Sequence, residues 1–238
     1  IEGAGIHSGD SIAVYPPQRL TVAQQAEIVS IATKIGQNVH CIGMMNIQFI
    51  VADEVYVIEV NPRASRTVPF MSKIVKLHLA QLATQLILGK SLAEIGLKPG
   101  LHPEPAKVYV KAPVFSFAKL PGAPTALSPE MKSTGEDIGA GGNLQEALHN
   151  ALFDSYHIDT NHLTGDVLLS AFDANNASLV EQLKGSGFGI QTYHEGMQWP
   201  SNLAFALSSE DETVDQKQLV ANALSHKVPV FTAQDTVM

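Results

Sequence analysis

The stretch Tyr56-Val57-Ile58-Glu59-Val60-Asn61-Pro62-Arg63-Ala64-Ser65-Arg66 decides how this chain is read. It puts a carboxylate, a carboxamide and two guanidiniums at the end of a strongly strand-like segment. Side chains alternate faces along a strand, so Glu59 and Asn61 are predicted to share one face. The same alternation predicts Tyr56, Ile58 and Val60 on the other face, turned into a core. Pro62 cannot donate to a ladder and ends the strand, which leaves Arg63 and Arg66 in the loop beyond. Oxygen ligands followed at once by positive charge suit magnesium bound to phosphate. The plain alternative is a strand with two exposed polar residues and a solvated basic turn, and the neighbouring segments argue against it.

Asn46-Ile47-Gln48-Phe49-Ile50-Val51 is apolar and β-rich, and Ala52-Asp53-Glu54 makes a short hairpin connection to the next strand. Gln48 then lies across from Glu59. A lone buried Gln is usually a satisfied structural amide, but beside Glu59 and Asn61 it reads as a further oxygen ligand. The amino-terminal run Gly3-Ala4-Gly5-Ile6-His7-Ser8-Gly9-Asp10-Ser11 has three glycines that permit a backbone close to a ligand, with His7, Ser8 and Ser11 as polar tips. Alone, that run is an ordinary turn.

Taken together, the runs Ala4 to Ser11, Gly43-Met44-Met45-Asn46-Ile47-Gln48-Phe49 and Ile58 to Phe70 resemble the large subunit of carbamoyl-phosphate synthetase. Other ATP-grasp enzymes share the Glu-x-Asn pair but seldom the continuation Pro62-Arg63-Ala64-Ser65-Arg66-Thr67-Val68-Pro69-Phe70. Pro129-Glu130-Met131-Lys132-Ser133-Thr134-Gly135-Glu136 is similar to another signature of that family. The likeness is strong to about residue 140 and weak after 165.

The resemblance implies an α/β chain in two parts. Residues 1–158 would be the carboxy-terminal part of an α+β ATP-grasp domain with antiparallel strands. Residues 159–238 would be a smaller open parallel-sheet domain, methylglyoxal-synthase-like and incomplete. It also implies a ligase that phosphorylates carbamate with ATP for arginine or pyrimidine synthesis. Glu59 would bridge two magnesium (or manganese) ions, with Gln48 and Asn61 completing the protein ligands. His7, Ser8, Gln48 and Glu59 would face the nucleotide, and Arg63 and Arg66 the carbamate or the transferring phosphoryl group. Ser11 and the Ile6 carbonyl match positions that help hold a potassium ion. A glutaminase small subunit is the implied partner, with self-association a further possibility. A beginning at Ile1 without methionine reads as a fragment lacking the ATP lid and hinge, expected to be inactive alone. The competing readings are a regulatory or assembly module without catalysis, and a different ATP-grasp ligase.

Composition excludes other classes. Net charge is −8 with no basic run, against nucleic-acid binding. The single cysteine, Cys41, rules out an internal disulfide framework and suits a reducing cytoplasm. It reads as a small buried hydrophobe rather than a reactive thiol. No apolar run is long enough to cross a bilayer, and no signal peptide is read.

Along the chain, Thr21 to Gln24 reads as a capping box opening a helix that Gly36 closes, with Ile28, Val29, Ala32 and Ile35 as its stripe. Leu77 to Leu88 reads as a second helix ended by Gly89, and residues 96–107 as a loop. Lys107 to Lys111 alternates like a half-exposed strand. Asn143 with Glu146 caps a helix through Phe153, and Asp154 to Asp166 is the candidate domain boundary. Beyond it, strands are predicted at Val167 to Phe172, Phe188 to Thr192, Leu203 to Leu207 and Val228 to Phe231. Helices are predicted through Leu183 to Gly185 and from Val214 to Leu224. Ligands of such sheets sit beyond the carboxyl ends of the strands.

There the chain departs from the family. A regulatory nucleotide phosphate is normally held by Thr-x-Gly-Thr and Asn-Thr-Thr turns, where this chain has Thr192-Tyr193-His194-Glu195-Gly196 and Leu207-Ser208-Ser209-Glu210-Asp211-Glu212. Glu195, Glu210, Asp211 and Glu212 put negative charge where a phosphate needs donors, at a cost of about a kcal/mol or more each at intermediate dielectric. Thr192 and Ser208 are the remaining effector-site candidates. The domain is expected to have lost its nucleotide effector.

Overall fold

The computed structural model describes residues 6–116, 129–156, 164–209, 214–226, 228–232, 234 and 237. The expected boundary at 158/159 lies outside these residues, as do Gly3 to Gly5 and Glu210 to Glu212. Two compact units are distinguished, Val14–Tyr109 and Ile1–Ala13 with Val110–Met238. The chain passes between them within strands β1 (Ala13–Tyr15) and β4 (Val108–Val114).

The unit Val14–Tyr109 holds α1 (Val22–Val39), the hairpin β2 (Asn46–Val51) and β3 (Val55–Asn61), then α2 (Val68–Val75) and α3 (Leu79–Ile87). Helix α1 opens as read: Gln24 N–H donates to the Thr21 hydroxyl at 3.2 Å and Thr21 N–H to Gln24 Oε1 at 2.9 Å. It does not stop at Gly36. The helix runs three residues further, and His40 takes the left-handed cap with φ 52°. Gly36 is a packing residue instead, because a Cβ there would come 3.3 Å from Met45 Cε. Helix α2 was not foreseen. Its signal is Pro69 in the first turn, where a missing N–H costs nothing, and its Phe70 and Ile74 are buried.

The hairpin register corrects a second expectation. Gln48 pairs with Glu59 and Asn46 with Asn61, but Phe49 pairs with Val57. Ile58 is therefore the extra residue of a β-bulge, and strict alternation along β3 fails there. Tyr56, opposite Ile50, shares the face of Glu59 and Asn61 rather than lying opposite. Tyr56 and Ile58 are 46% and 55% exposed, so neither enters a core.

In the other unit, β4 is the middle strand of a sheet ordered β1-β4-β5, with β5 at Gly135–Gly141. Both faces of β4 are covered from Val110 to Pro113, so the half-exposed alternation predicted for Lys107 to Lys111 does not hold. Val110, Lys111, Ala112 and Pro113 are all buried. Strand β5 escaped notice because its glycines look like a loop. They are there for α4 (Leu144–Tyr156): a Cβ on Gly139 would fall 2.2 Å from the Ala147 carbonyl, and one on Gly141 2.6 Å from the Ala147 nitrogen. Asn143 accepts from Glu146 N–H at 2.9 Å, the predicted cap, and the helix extends past Phe153 to Tyr156.

The last sheet is wholly parallel, ordered β7-β6-β8-β9, from β6 (Asp166–Leu169), β7 (Gly189–Thr192), β8 (Leu203–Leu207) and β9 (Val230–Phe231). Helices α5 (Ala171–Ala174), α6 (Ala177–Gly185) and α7 (Val214–Ser225) connect it. Val167, Leu168, Leu169, Leu179, Leu207 and Leu219 are fully enclosed, as a two-sided core requires. The predicted strand Val167 to Phe172 ends early. Ser170 caps α5 by accepting from Asp173 N–H at 3.1 Å, and Phe172 is half exposed.

The two kinds of glycine can be told apart by urea unfolding. Gly139→Ala is expected to cost about 3 kcal/mol, because backbone atoms of α4 must move. Gly185→Ala, with open space around it at a helix end, is expected to be neutral or to stabilise by up to about 1 kcal/mol.

Candidate functional site

The hairpin builds the first part. Residues directly opposite in an antiparallel pair share a face, so Asn46, Gln48, Glu59 and Asn61 form one polar patch at the open end of β2–β3. Asn61 Nδ2 donates to Glu59 Oε1 at 2.9 Å, and Arg63 Nη2 donates to Asn61 Oδ1 at 3.4 Å. Carboxylate, carboxamide and guanidinium thus stand in sequence order along one line. Arg63 Nη1 also donates to the Ala64 carbonyl at 3.0 Å, which folds the guanidinium over the Pro62 turn. Glu59, Arg63 and Arg66 are exposed and Asn61 is half buried. Arg66 lies two residues before α2, outside this chain of contacts. Asn46 was read only as the start of a strand; its place opposite Asn61 needed the register.

The donors fit a hard divalent cation. Glu59 offers a carboxylate, and Gln48 and Asn61 offer carboxamide oxygens, the ligands magnesium takes. The patch holds a single carboxylate, so a divalent cation there would keep charge to share with an anionic ligand. Among the described residues, no group of three or more His, Cys, Asp or Glu could hold a metal by itself.

A separate region, taken by itself, is the loop from His7 to Ser11 in the other unit. Gly9 N–H donates to His7 Nδ1 at 3.0 Å. A ring that accepts at Nδ1 carries its hydrogen on Nε2, a donor suited to an anion. The Ser11 hydroxyl and Asp10 N–H both turn back to the His7 carbonyl, at 3.3 and 2.8 Å. Ser8 is exposed and Ile6 half buried. Asp10 is fully enclosed and Lys111 is 4% exposed. Neither stood out in the sequence: Asp10 sits in a polar turn, and Lys111 was read as the solvent side of a strand.

The third region is the carboxyl edge of the parallel sheet. Thr192 is exposed there, as is Glu195. Ser208 is fully buried, and among the described residues its hydroxyl has no hydrogen-bond partner. A protein carboxylate occupies the neighbouring centre. Asp173, fully enclosed, accepts from the Ser170 hydroxyl at 2.7 Å, Ser209 N–H at 2.9 Å, the Gln234 amide at 2.8 Å and the Ser209 hydroxyl. Asn176 Nδ2 in turn donates to Gln234 Oε1 at 2.8 Å. Asp173 thus already gathers the hydrogen-bond donors at this part of the sheet edge.

Residues 3–95, which include this hairpin and its basic turn, match the family described as carbamoyl-phosphate synthase L chain, ATP binding domain. Over all 238 residues the chain is 50% identical to the arginine-specific large chain of carbamoyl phosphate synthase from Lactiplantibacillus plantarum. The whole chain is therefore homologous to a segment of such a large chain, and it spans 23% of that relative's length. Among solved structures, the biotin carboxylase domain of a single-chain bacterial carboxylase aligns with 61% of this chain and 39% of its own, at 18% identity and TM-score 0.48.

Two substitutions separate a structural from a ligand-binding sheet edge. Asp173→Ala is expected to cost about 3 kcal/mol in denaturant unfolding, since its buried donors lose their acceptor. Ser208→Ala is expected to be neutral or to stabilise by up to about 1 kcal/mol, because an unpaired buried hydroxyl is removed.

Proposed function

We propose that the complete protein carrying this sequence is an ATP-dependent ligase, the large chain of a carbamoyl phosphate synthase, and that these residues serve its carbamate-phosphorylating step. The observation that carries the reading is the row Gln48, Glu59, Asn61 and Arg63, set by the hairpin register within the residues that match the ATP-binding family. Glu59, Gln48 and Asn61 would hold magnesium or manganese, two ions per ATP. When bound, the metal neutralises charge on the phosphates. A carbamate oxygen attacks the terminal phosphorus of ATP, and the bond to the bridging oxygen breaks, giving carbamoyl phosphate and ADP. Catalysis of this kind is mostly positioning and charge neutralisation. Arg63 and Arg66 orient the carbamate and the phosphoryl group by bidentate contacts. His7, through Nε2–H, and Ser8 donate to the nucleotide phosphates. The Ile6 carbonyl and Ser11 help hold a potassium ion. No residue needs to act as a general base, since carbamate is already an anion.

The implied partner is a glutaminase small subunit that supplies the nitrogen, and the setting is the cytoplasm. The parallel-sheet module is read as the methylglyoxal-synthase-like regulatory domain. Asp173 and Glu195 leave it poorly suited to a nucleotide phosphate. Freedom from pyrimidine feedback, and hence a role in arginine synthesis, fits that chemistry.

Glu59→Ala in the complete protein is expected to lower carbamoyl phosphate formation about a thousandfold or more. The fold should survive, since Glu59 is exposed on its strand; preserved activity would sink the assignment. Titration calorimetry with uridine monophosphate is expected to show no binding, and micromolar affinity would remove the case for a closed regulatory site.

A further inference from the structure

We propose that Lys111 and Asp10 are positioning residues for the loop His7 to Ser11, fixing the His7 ring so that its Nε2–H faces a nucleotide phosphate. The proposal rests on the reading above that places ATP at His7 and Ser8.

Lys111 Nζ donates to the Ser8 carbonyl at 2.9 Å and the Gly9 carbonyl at 3.2 Å. The Ser8 carbonyl and Gly9 N–H belong to the same peptide plane. In a trans peptide they point in opposite directions. Drawing the carbonyl toward Lys111 therefore aims the N–H away from it, and this N–H is the one that reaches His7 Nδ1. The ammonium sets the peptide plane, the plane sets the hydrogen bond, and the hydrogen bond sets the tautomer. Lys111 is thus two bonds removed from the imidazole yet decides which ring nitrogen can donate.

Asp10 anchors the other end of the turn. Its two carboxylate oxygens accept from Lys132 N–H at 2.7 Å and Ser133 N–H at 2.9 Å, and the Ser133 hydroxyl donates to the Gly9 carbonyl at 3.2 Å. Burying a carboxylate and an ammonium is expensive unless both are saturated with hydrogen bonds. An ordinary surface turn needs neither. Two such groups spent on five residues mark a loop whose geometry must be held to a fraction of an ångström. Gly9 completes it, since a Cβ would meet Met131 Sδ at 2.9 Å.

The test combines a spectroscopic and a kinetic readout. Nitrogen NMR of the His7 ring is expected to show a single Nε2–H tautomer in the unaltered protein and a mixture in Lys111→Met. In the complete protein, Lys111→Met and Asp10→Asn are each expected to lower kcat/KM for MgATP about tenfold, and His7→Ala to lower it as much. The Lys111 and Asp10 effects should vanish in the His7→Ala background. If the buried variants fail to fold, Ser133→Ala, which removes one hydroxyl and keeps both Asp10 contacts, carries the same comparison with a smaller change. An unchanged tautomer, or effects that add to that of His7→Ala, would overturn the positioning role while leaving the nucleotide reading intact. A His7→Ala variant with normal MgATP kinetics would overturn both.

Discussion

The pairing of Gln48 with Glu59 across β2 and β3 is the constraint on which the site depends. Because the side-chain period of a strand is two, slipping the hairpin by one residue would turn Gln48 and Asn46 away from Glu59 and Asn61. The bulge at Ile58 is part of that constraint. It absorbs a residue between the apolar half of the hairpin and its polar end, so the three carboxamides and the carboxylate arrive on one face. Pro62 then ends the ladder, and Arg63 folds back to Asn61 at 3.4 Å. A cation and an anion-binding group are thereby set side by side on a few residues of backbone.

Elsewhere, buried charge does the organising. Asp10, Lys111 and Asp173 are each almost wholly enclosed, and each is surrounded by hydrogen-bond partners from distant parts of the chain. The three differ in what they organise. Asp10 and Lys111 shape a loop whose polar tips remain outside. Asp173 gathers the donors at the sheet edge to itself. In one place buried charge fixes a loop around outward-facing polar groups, and in the other it satisfies the donors of the sheet edge internally.

Much of this was legible in the residues. The capping box at Thr21, the hairpin around Asp53 and the parallel strands at 166–169 and 203–207 follow from periodicity and turn chemistry, whereas the expected opposition of Gln48 to Glu59 is reached only through the bulge at Ile58. What was not legible has physical causes. Bulges carry no local signature, so Tyr56 and Ile58 were given a core they do not enter. Gly139 and Gly141 resemble loop residues because nothing nearby announces that a helix will lie on them. Lys111 looked solvent-facing because its partners, Ser8 and Gly9, lie about a hundred residues away. Asp173 is hidden in a similar way, since beside the local Ser170 its donors come from the distant Ser209 and Gln234.

The most direct measurement is a crystal structure of the complete protein with magnesium and a non-hydrolysable ATP analogue. The account requires an oxygen of Glu59, and of at least one of Gln48 and Asn61, within about 2.1 Å of a magnesium ion, with Arg63 or Arg66 against the terminal phosphate. A metal held by other residues, with Glu59 and both carboxamides turned to solvent, would contradict it.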